Sequence, residues 1–421
     1  MTAVQPRPPA TTPTAPDAPT RLIVAMALAQ LGAYLTILTP VVVTMSIRVA
    51  QIAPDDKAAA LGTVLSVGAV LALLGNPFFG AMSDRTTSRF GRRRPWLLGG
   101  MVAGFAGLLV VALGASVPVL TAGWALAQLG VNATLSTLTA LLPDQIPAQQ
   151  RGKVSGILGL MTSVAILLGS ALAAALAGNA LLMFAVPAAI GVATVAMLVF
   201  VLKDRPAEKG HFSPYRFKEF LSTFYVSPRR HPDFFWNIIS RFLIWMGLAS
   251  VTTYQAYLLI DRFEYTTDNV ANGILLSTLV STAGLVIGSS VGGPLSDRTG
   301  RRKPFVLGAG IVVAVALTVI AFAGSFPVFL VASLIFGLGQ GAYLAVDLAL
   351  ATDVLPNPDD AAKDMGVLNI ANALPQSLVP IVAAPILAIG GGDSNYNALF
   401  LAGAVVAVTG SLLVRMVRGA R

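Results

Sequence analysis

The chain has 421 residues, of which 55% are apolar and only 11% charged, with a formal net charge of +9, whereas an ordinary soluble domain carries roughly 25% charged residues. So few charges over such a length exclude a water-solvated globular enzyme. The absence of cysteine excludes disulfides, thiol chemistry and lipid attachment through a thiol.

Residues 1–20 hold six prolines and no apolar run, which predicts a disordered cytoplasmic tail rather than a secretory signal. A bilayer core about 30 Å thick takes roughly 20 apolar residues per helical crossing. Twelve such runs follow in the sequence, at 22–47, 61–82, 95–114, 118–142, 154–177, 180–202, 234–260, 273–295, 304–323, 327–352, 366–389 and 397–417. Their continuity predicts helices rather than barrel strands, which alternate apolar and polar residues. Gly, Ala and Ser inside the runs suit close helix packing. The expected fold is an all-α membrane protein of two six-helix bundles, 21–202 and 234–417, followed by a short cytoplasmic tail at 418–421.

Between the bundles, 203–233 is a basic linker. Ser213 and Pro214 precede Phe217, Phe220, Leu221 and Phe224, the cap and spacing of a short amphipathic helix on the membrane surface; a solvated linker is the open alternative. The only two histidines, His211 and His231, fall in this linker, so no metal site and no cofactor is expected.

With the amino terminus inside, 24 of the 28 Lys and Arg residues fall in cytoplasmic segments; Arg48, Lys57 and Arg262 lie outside, and Arg241 lies within a helix. This positive-inside pattern places both termini in the cytoplasm of a multi-pass plasma-membrane protein. It accounts for the net charge without nucleic acid.

The two halves repeat. At an offset of 209 residues Gly91-Arg92-Arg93-Arg94-Pro95 matches Gly300-Arg301-Arg302-Lys303-Pro304, and Asp144 matches Asp353. Before that the offset is 213, so that Gly80, Ser83, Asp84, Arg85 and Thr86 align with Gly293, Ser296, Asp297, Arg298 and Thr299. Four residues, 87–90, are an insertion in the first half. An even number of helices per half gives a parallel repeat about an axis along the membrane normal, with a central cavity between the halves.

The paired Gly-x-x-Ser-Asp-Arg-Thr segments, each followed by Gly-Arg-Arg and a third basic residue, resemble the signature loop of the major facilitator superfamily. The longer first copy, Ser83 to Pro95, is similar to that of plant sucrose-proton symporters and the wider glycoside-pentoside-hexuronide symporter group. The resemblance implies a transporter, not an enzyme, working by alternating access as a monomer on a small-molecule substrate, with proton-coupled uptake of a sugar or glycoside such as a disaccharide. Efflux of another small molecule by the same fold is the alternative, and a non-transporting membrane sensor a weaker one.

Three groups of residues are expected to carry this function. The first is a cytoplasmic gate. Asp84 and Asp297 are placed to cap a helix of the opposite half. Arg85, Arg92, Arg93, Arg298, Arg301 and Arg302 are placed to pair with Asp144 and Asp353. Topology alone would also retain the arginines. The second group is polar side chains at helical spacing: Gln30 and Tyr34, Gln128 and Asn132, Tyr254 and Gln255, Gln340 and Tyr343, then Asn369, Asn372 and Gln376. By resemblance several of these face substrate, and amides beside aromatic rings suit a sugar; helix-to-helix hydrogen bonding suits them equally. The sequence departs from the resemblance at Gln128, where plant sucrose transporters are expected to carry an acid. Helix 1 also has no acid to build the sodium site of melibiose-type relatives.

The third group is a pair. Asp347 lies nine residues before Pro356, about 13 Å from the inner end of its helix, and Arg241 about 10 Å into another, at a 1.5 Å rise per residue. Similar depth makes them expected partners for proton coupling, since charges inside a bilayer are costly unless paired. The first-half counterpart of Asp347 is Leu138, so the repeat itself does not require an acid there. A static ion pair holding two helices together is the bland alternative.

Overall fold

The computed structural model describes residues 17–204, 206, 229–354, 361–390 and 395–417, together with most side chains in those ranges. The expected amphipathic segment at 213–224, His211 and nearly all of both tails lie outside the described residues, as do the side chains of Asp353 and Asn369.

Twelve long helices run through the described residues: α1 Thr20–Ile52, α2 Lys57–Asp84, α3 Arg94–Leu113, α4 Val117–Gln145, α5 Ala148–Ala175, α6 Ala180–Val201, α7 Pro232–Arg262, α8 Val270–Thr299, α9 Lys303–Phe322, α10 Phe326–Asp353, α11 Ala361–Leu387 and α12 Tyr396–Leu413. Eleven are long and apolar enough to cross a membrane; in the twelfth, α11, the apolar part is shorter, at Leu374–Leu387. Outward-facing Phe200, Val291, Val331 and Val405 are exposed, as expected of a surface solvated by lipid. Within α1, Pro40 opens a π-helical turn, Pro40–Thr44. Proline has no N–H to give to the preceding turn and its ring crowds that carbonyl, and a wider turn absorbs both.

The repeat read from the sequence is present in the coordinates. α3 and α9 begin at 94 and 303, and α4 and α10 at 117 and 326, so both pairs keep the offset of 209; α2 and α8 begin at 57 and 270, keeping 213. Packing repeats in the same way. In the first half α1 packs on α5 and α6, α4 on α2 and α3, and α3 on α6; in the second α7 packs on α11 and α12, α10 on α8 and α9, and α9 on α12. Between halves the main contacts are α2 with α11 and α5 with α8, which the repeat exchanges for one another. Two six-helix units related by a pseudo-twofold axis follow.

The helix pairs inside each half meet backbone to backbone. A Cβ placed on Gly288 or Gly341 would collide with the carbonyl of Leu338 or Leu285 across the α8–α10 seam. Interfaces of this kind replace the hydrophobic effect, absent between helices in lipid, with dispersion contacts at close approach.

Candidate functional site

Two ends of the bundle are distinguished by charge. The basic face carries the arginine-rich loops between α2 and α3 and between α8 and α9. In the first of these, Gly91 has φ +101°, a left-handed turn that brings the backbone onto Asp204 at the end of α6. The Asp204 carboxylate accepts from the amides of Arg93 (2.7 Å) and Arg94 (3.0 Å), thereby capping the start of α3, where backbone donors lack helical partners. The Arg94 guanidinium donates to the carbonyl of Leu202, and its repeat partner Lys303 donates to the carbonyl of Val417 at 2.5 Å. Both contacts fasten a loop to the closing end of its own half.

The expected pairing of loop arginines with Asp144 is present: Arg92 reaches it at 2.8 Å and Arg93 at 2.9 Å. Asp84 meets Arg93 at 2.5 Å and Asp297 meets Arg302 at 2.8 Å. Asp84 and Asp297 are thus each held by an arginine of their own loop; the start of α5, where Asp297 was expected, carries no side-chain cap, and the residues leading into α11, where Asp84 was expected, lie outside the described ones. Arg298 and Arg301 are exposed and Arg85 half-buried.

At the opposite face the halves are tied together. Lys57, the first residue of α2, forms an ion pair with Asp261 near the end of α7. Its backbone carbonyl accepts from the Tyr257 hydroxyl at 3.2 Å, and its ammonium lies 5.5 Å from the Tyr257 ring centre. The other Asp261 oxygen accepts from the Tyr396 hydroxyl at 2.5 Å. Tyr257, Asp261 and Tyr396 were not singled out from the sequence; the signal was Lys57, a lysine on the side where lysines are scarce. Arg48 and Arg262, the other two exceptions to the charge rule, have structural partners. Arg48 donates to the carbonyl of Gly114 just past α3 (2.8 Å), and Arg262 to that of Ala321 near the end of α9 (2.7 Å). A cation at a helix carboxyl end meets both the free carbonyls and the negative end of the helix dipole.

Inside the second half, Arg241 and Asp347 meet as expected. The guanidinium Nη1 lies 2.9 Å from Asp347 Oδ2, and its Nε donates to Asn372 Oδ1 at 2.6 Å. Both ionic side chains are buried. One turn from Asp347, the fully buried Tyr343 hydroxyl faces the same carboxylate, and the Asn237 amide nitrogen, one turn from Arg241, is buried with no hydrogen-bond partner among the described residues. Asn372 and Tyr343 thus belong with this charged cluster.

The remaining polar residues separate. Asn132 donates to the backbone carbonyl of Gln128 at 2.8 Å and to its side-chain oxygen at 3.0 Å, so these two amides bond each other within α4. Tyr254 is fully buried; its hydroxyl faces the Pro380 carbonyl at 3.4 Å and its ring meets Tyr257 edge-on. That places it in the α7–α11 packing. Gln30 and Tyr34 are half-buried on α1, and Gln376 is exposed on α11. Gln255 and Gln340 come together on one cavity of about 120 Å³, lined also by Val42, Ser277, Ser281 and Ser333. Residues of α1 and α5 close it from the first half, and residues of α7, α8 and α10 from the second.

Comparison with known proteins agrees with this architecture. The sequence profile of the Major Facilitator Superfamily matches residues 22–287 and 272–421. The chain is 26% identical over 282 residues to Multidrug resistance protein 2 of Bacillus subtilis, covering 66% of this chain and 68% of that protein. Over 45 residues it is 51% identical to an uncharacterized symporter of Synechocystis, a match spanning 11% of this chain and only 8% of the symporter. Among solved structures, a bacterial homolog of the human lysosomal transporter Spinster, in an inward-facing and unoccupied conformation, superposes with a TM-score of 0.69 at 15% identity, covering 94% of this chain and 95% of the other.

Proposed function

Because the chain belongs to the major facilitator superfamily, we propose that it is a secondary transporter that carries a sugar or glycoside into the cell together with protons, by alternating access between its halves, 21–202 and 234–417. The positive-inside distribution supports a plasma-membrane protein with both termini in the cytoplasm. On that orientation the basic face is cytoplasmic, and the face tied by Lys57 and Asp261 is external. The conformation described is then the one closed to the outside. Contacts across the halves at the external face, and ion pairs kept within one half at the other, support that reading.

The buried Arg241–Asp347 pair carries the coupling assignment. Ionisable groups inside a bilayer are functional candidates by default, and Leu138 stands at the equivalent place in the first half. A buried carboxylate that loses its cationic partner favours its neutral form. A cycle that parts and rejoins this pair therefore takes up and releases one proton. Gln128 and Asn132, bonded to each other, supply no comparable group.

The test is uptake of a labelled sugar panel by energised vesicles, with and without a protonophore. Asp347→Asn is expected to abolish uphill accumulation while retaining exchange between two loaded compartments. A variant that still concentrates sugar under a proton gradient alone removes Asp347 from the coupling step. Efflux of another small molecule is the second reading, favoured by the similarity to a protein named for multidrug resistance. It requires that the chain confer resistance to a toxic compound in growth tests and accumulate no sugar.

A further inference from the structure

The cavity between the halves has a chemical bias that its residue types alone do not show. Beside the apolar Val42, Ile166, Val251, Leu285 and Phe336, its lining holds hydroxyl and amide side chains and no charged one among the described residues. Four of the hydroxyls have already placed their protons. Thr252 donates to the carbonyl of Ala249 (3.1 Å), Ser277 to Ile274 (2.9 Å), Ser281 to Thr278 (3.2 Å) and Ser333 to Phe329 (2.8 Å). Each bond returns to the same helix, the local pattern open to Ser and Thr in helices. A hydroxyl has one proton and two lone pairs, so what these four keep for a guest is acceptor capacity.

We infer that this cavity is a subsite for an uncharged solute rich in hydroxyl donors, such as a polyol or one edge of a sugar ring, recognised by the hydroxyl oxygens of Thr252, Ser277, Ser281 and Ser333. Gln255 and Gln340 bring both a donor and acceptors to the same space, and so fix the guest's orientation. An anion would face oxygen lone pairs with no cation to balance it. A guest without hydrogen-bond donors would cover the hydroxyl oxygens and leave them unpaired, which is costly. Of the described side chains expected to meet substrate, only Gln255 and Gln340 lie here. The inference rests on the transport reading above and adds to it the atoms that select the solute.

The test uses purified full-length protein and ligand-induced thermal stabilisation, with sorbitol, glucose and sucrose as neutral probes and ethidium as the cationic one. At least one neutral probe is expected to stabilise the wild type, and Ser277→Ala or Thr252→Val to weaken its apparent affinity about five- to tenfold each, the usual consequence of losing one hydrogen bond. Ser281→Ala serves if either variant fails to fold. Thr409→Val is the control, because its hydroxyl bonds to its own helix in the same way but on an exposed face; its affinity should stay at the wild-type value. Stabilisation by ethidium alone, no stabilisation by any neutral probe, or neutral binding indifferent to Ser277→Ala and Thr252→Val would each overturn the subsite. If Asp347→Asn still drives uphill uptake while the hydroxyl variants bind weakly, the coupling assignment falls and the subsite stands.

Discussion

Only interactions that cross the seam between halves can bias which face is open, and this makes the Lys57–Asp261 contact a quantitative test. The two side chains are 19% and 22% exposed, so the pair is neither fully solvated, where ion pairs contribute about 0.2–1 kcal/mol, nor fully buried. A charge-assisted bond at this depth is expected to contribute about 1–2 kcal/mol. Present in one conformation and absent from the other, it multiplies the population ratio by about 5 to 30 at 1.4 kcal/mol per factor of ten. The Tyr396–Asp261 bond stays within the second half and cancels from the ratio. Asp261→Ala should therefore shift the equilibrium by that factor, and Lys57→Ala by at least as much, because it also removes the cation's contact with the Tyr257 ring across the seam. Val42→Cys in the cysteine-free chain reports the shift through its rate of reaction with a membrane-impermeant thiol reagent added on the Lys57 side. That rate should rise about 5- to 30-fold in either single variant, and return towards its starting value in the exchanged pair Lys57→Asp with Asp261→Lys. Single variants that react at the original rate, or an exchanged pair no slower than the singles, would refute the latch.

Asp144→Asn should lower thermal stability, because Asp144 gathers Arg92 and Arg93 at the end of α4, and should leave the thiol rate at Val42→Cys unchanged, because those bonds do not cross the seam; a changed rate would restore the gate expected from the sequence. Asn132→Ala removes a bond within α4, and is expected to lower the melting temperature while leaving the half-saturation concentration for sugar intact; a raised half-saturation concentration would return that residue to the substrate. Gly288→Leu forces a side chain into the Leu338 carbonyl, and should cost at least the ~1–3 kcal/mol typical of overpacking, read as loss of folded protein in detergent. Arg262→Ala leaves the carbonyl of Ala321 without its cation and should destabilise by about 1.5–3 kcal/mol, the range for a hydrogen bond to a charged group.

The helices and their repeat were legible because the bilayer imposes one strong rule, and every run of about twenty apolar residues obeys it. Arg241 and Asp347 were legible for the same reason: a charge that deep announces a partner. Lys57 and Asp261 were not. Both stand at helix ends, where a charge is ordinarily solvated, and they are brought together only by the packing of α2 against the second half. Gln128 and Asn132 show the converse limit, since a four-residue spacing places two amides on one face but leaves open whether they meet a guest or each other. The Arg93 partner of Asp84 was not legible, because a sequence does not state whether a loop carboxylate turns to an arginine of its own loop or to the opposite half. The cavity hydroxyls were invisible as a group, as isolated Ser and Thr in apolar helices are commonplace. The π turn at Pro40 went unread because a proline in an apolar run signals a disturbed helix without giving its geometry.

The backbone approach between α8 and α10 has a consequence for how such a chain diversifies. Where two main chains touch at Gly288 and Gly341, the choice of residue is set by geometry and owes nothing to what is carried. About two and three turns away on the same α8, the Ser281 and Ser277 side chains line the cavity instead, and exchanging them for other small residues leaves the backbone contact intact. Constraint and freedom therefore alternate along a single helix, so that a change of side chain on the cavity side need not disturb the seam.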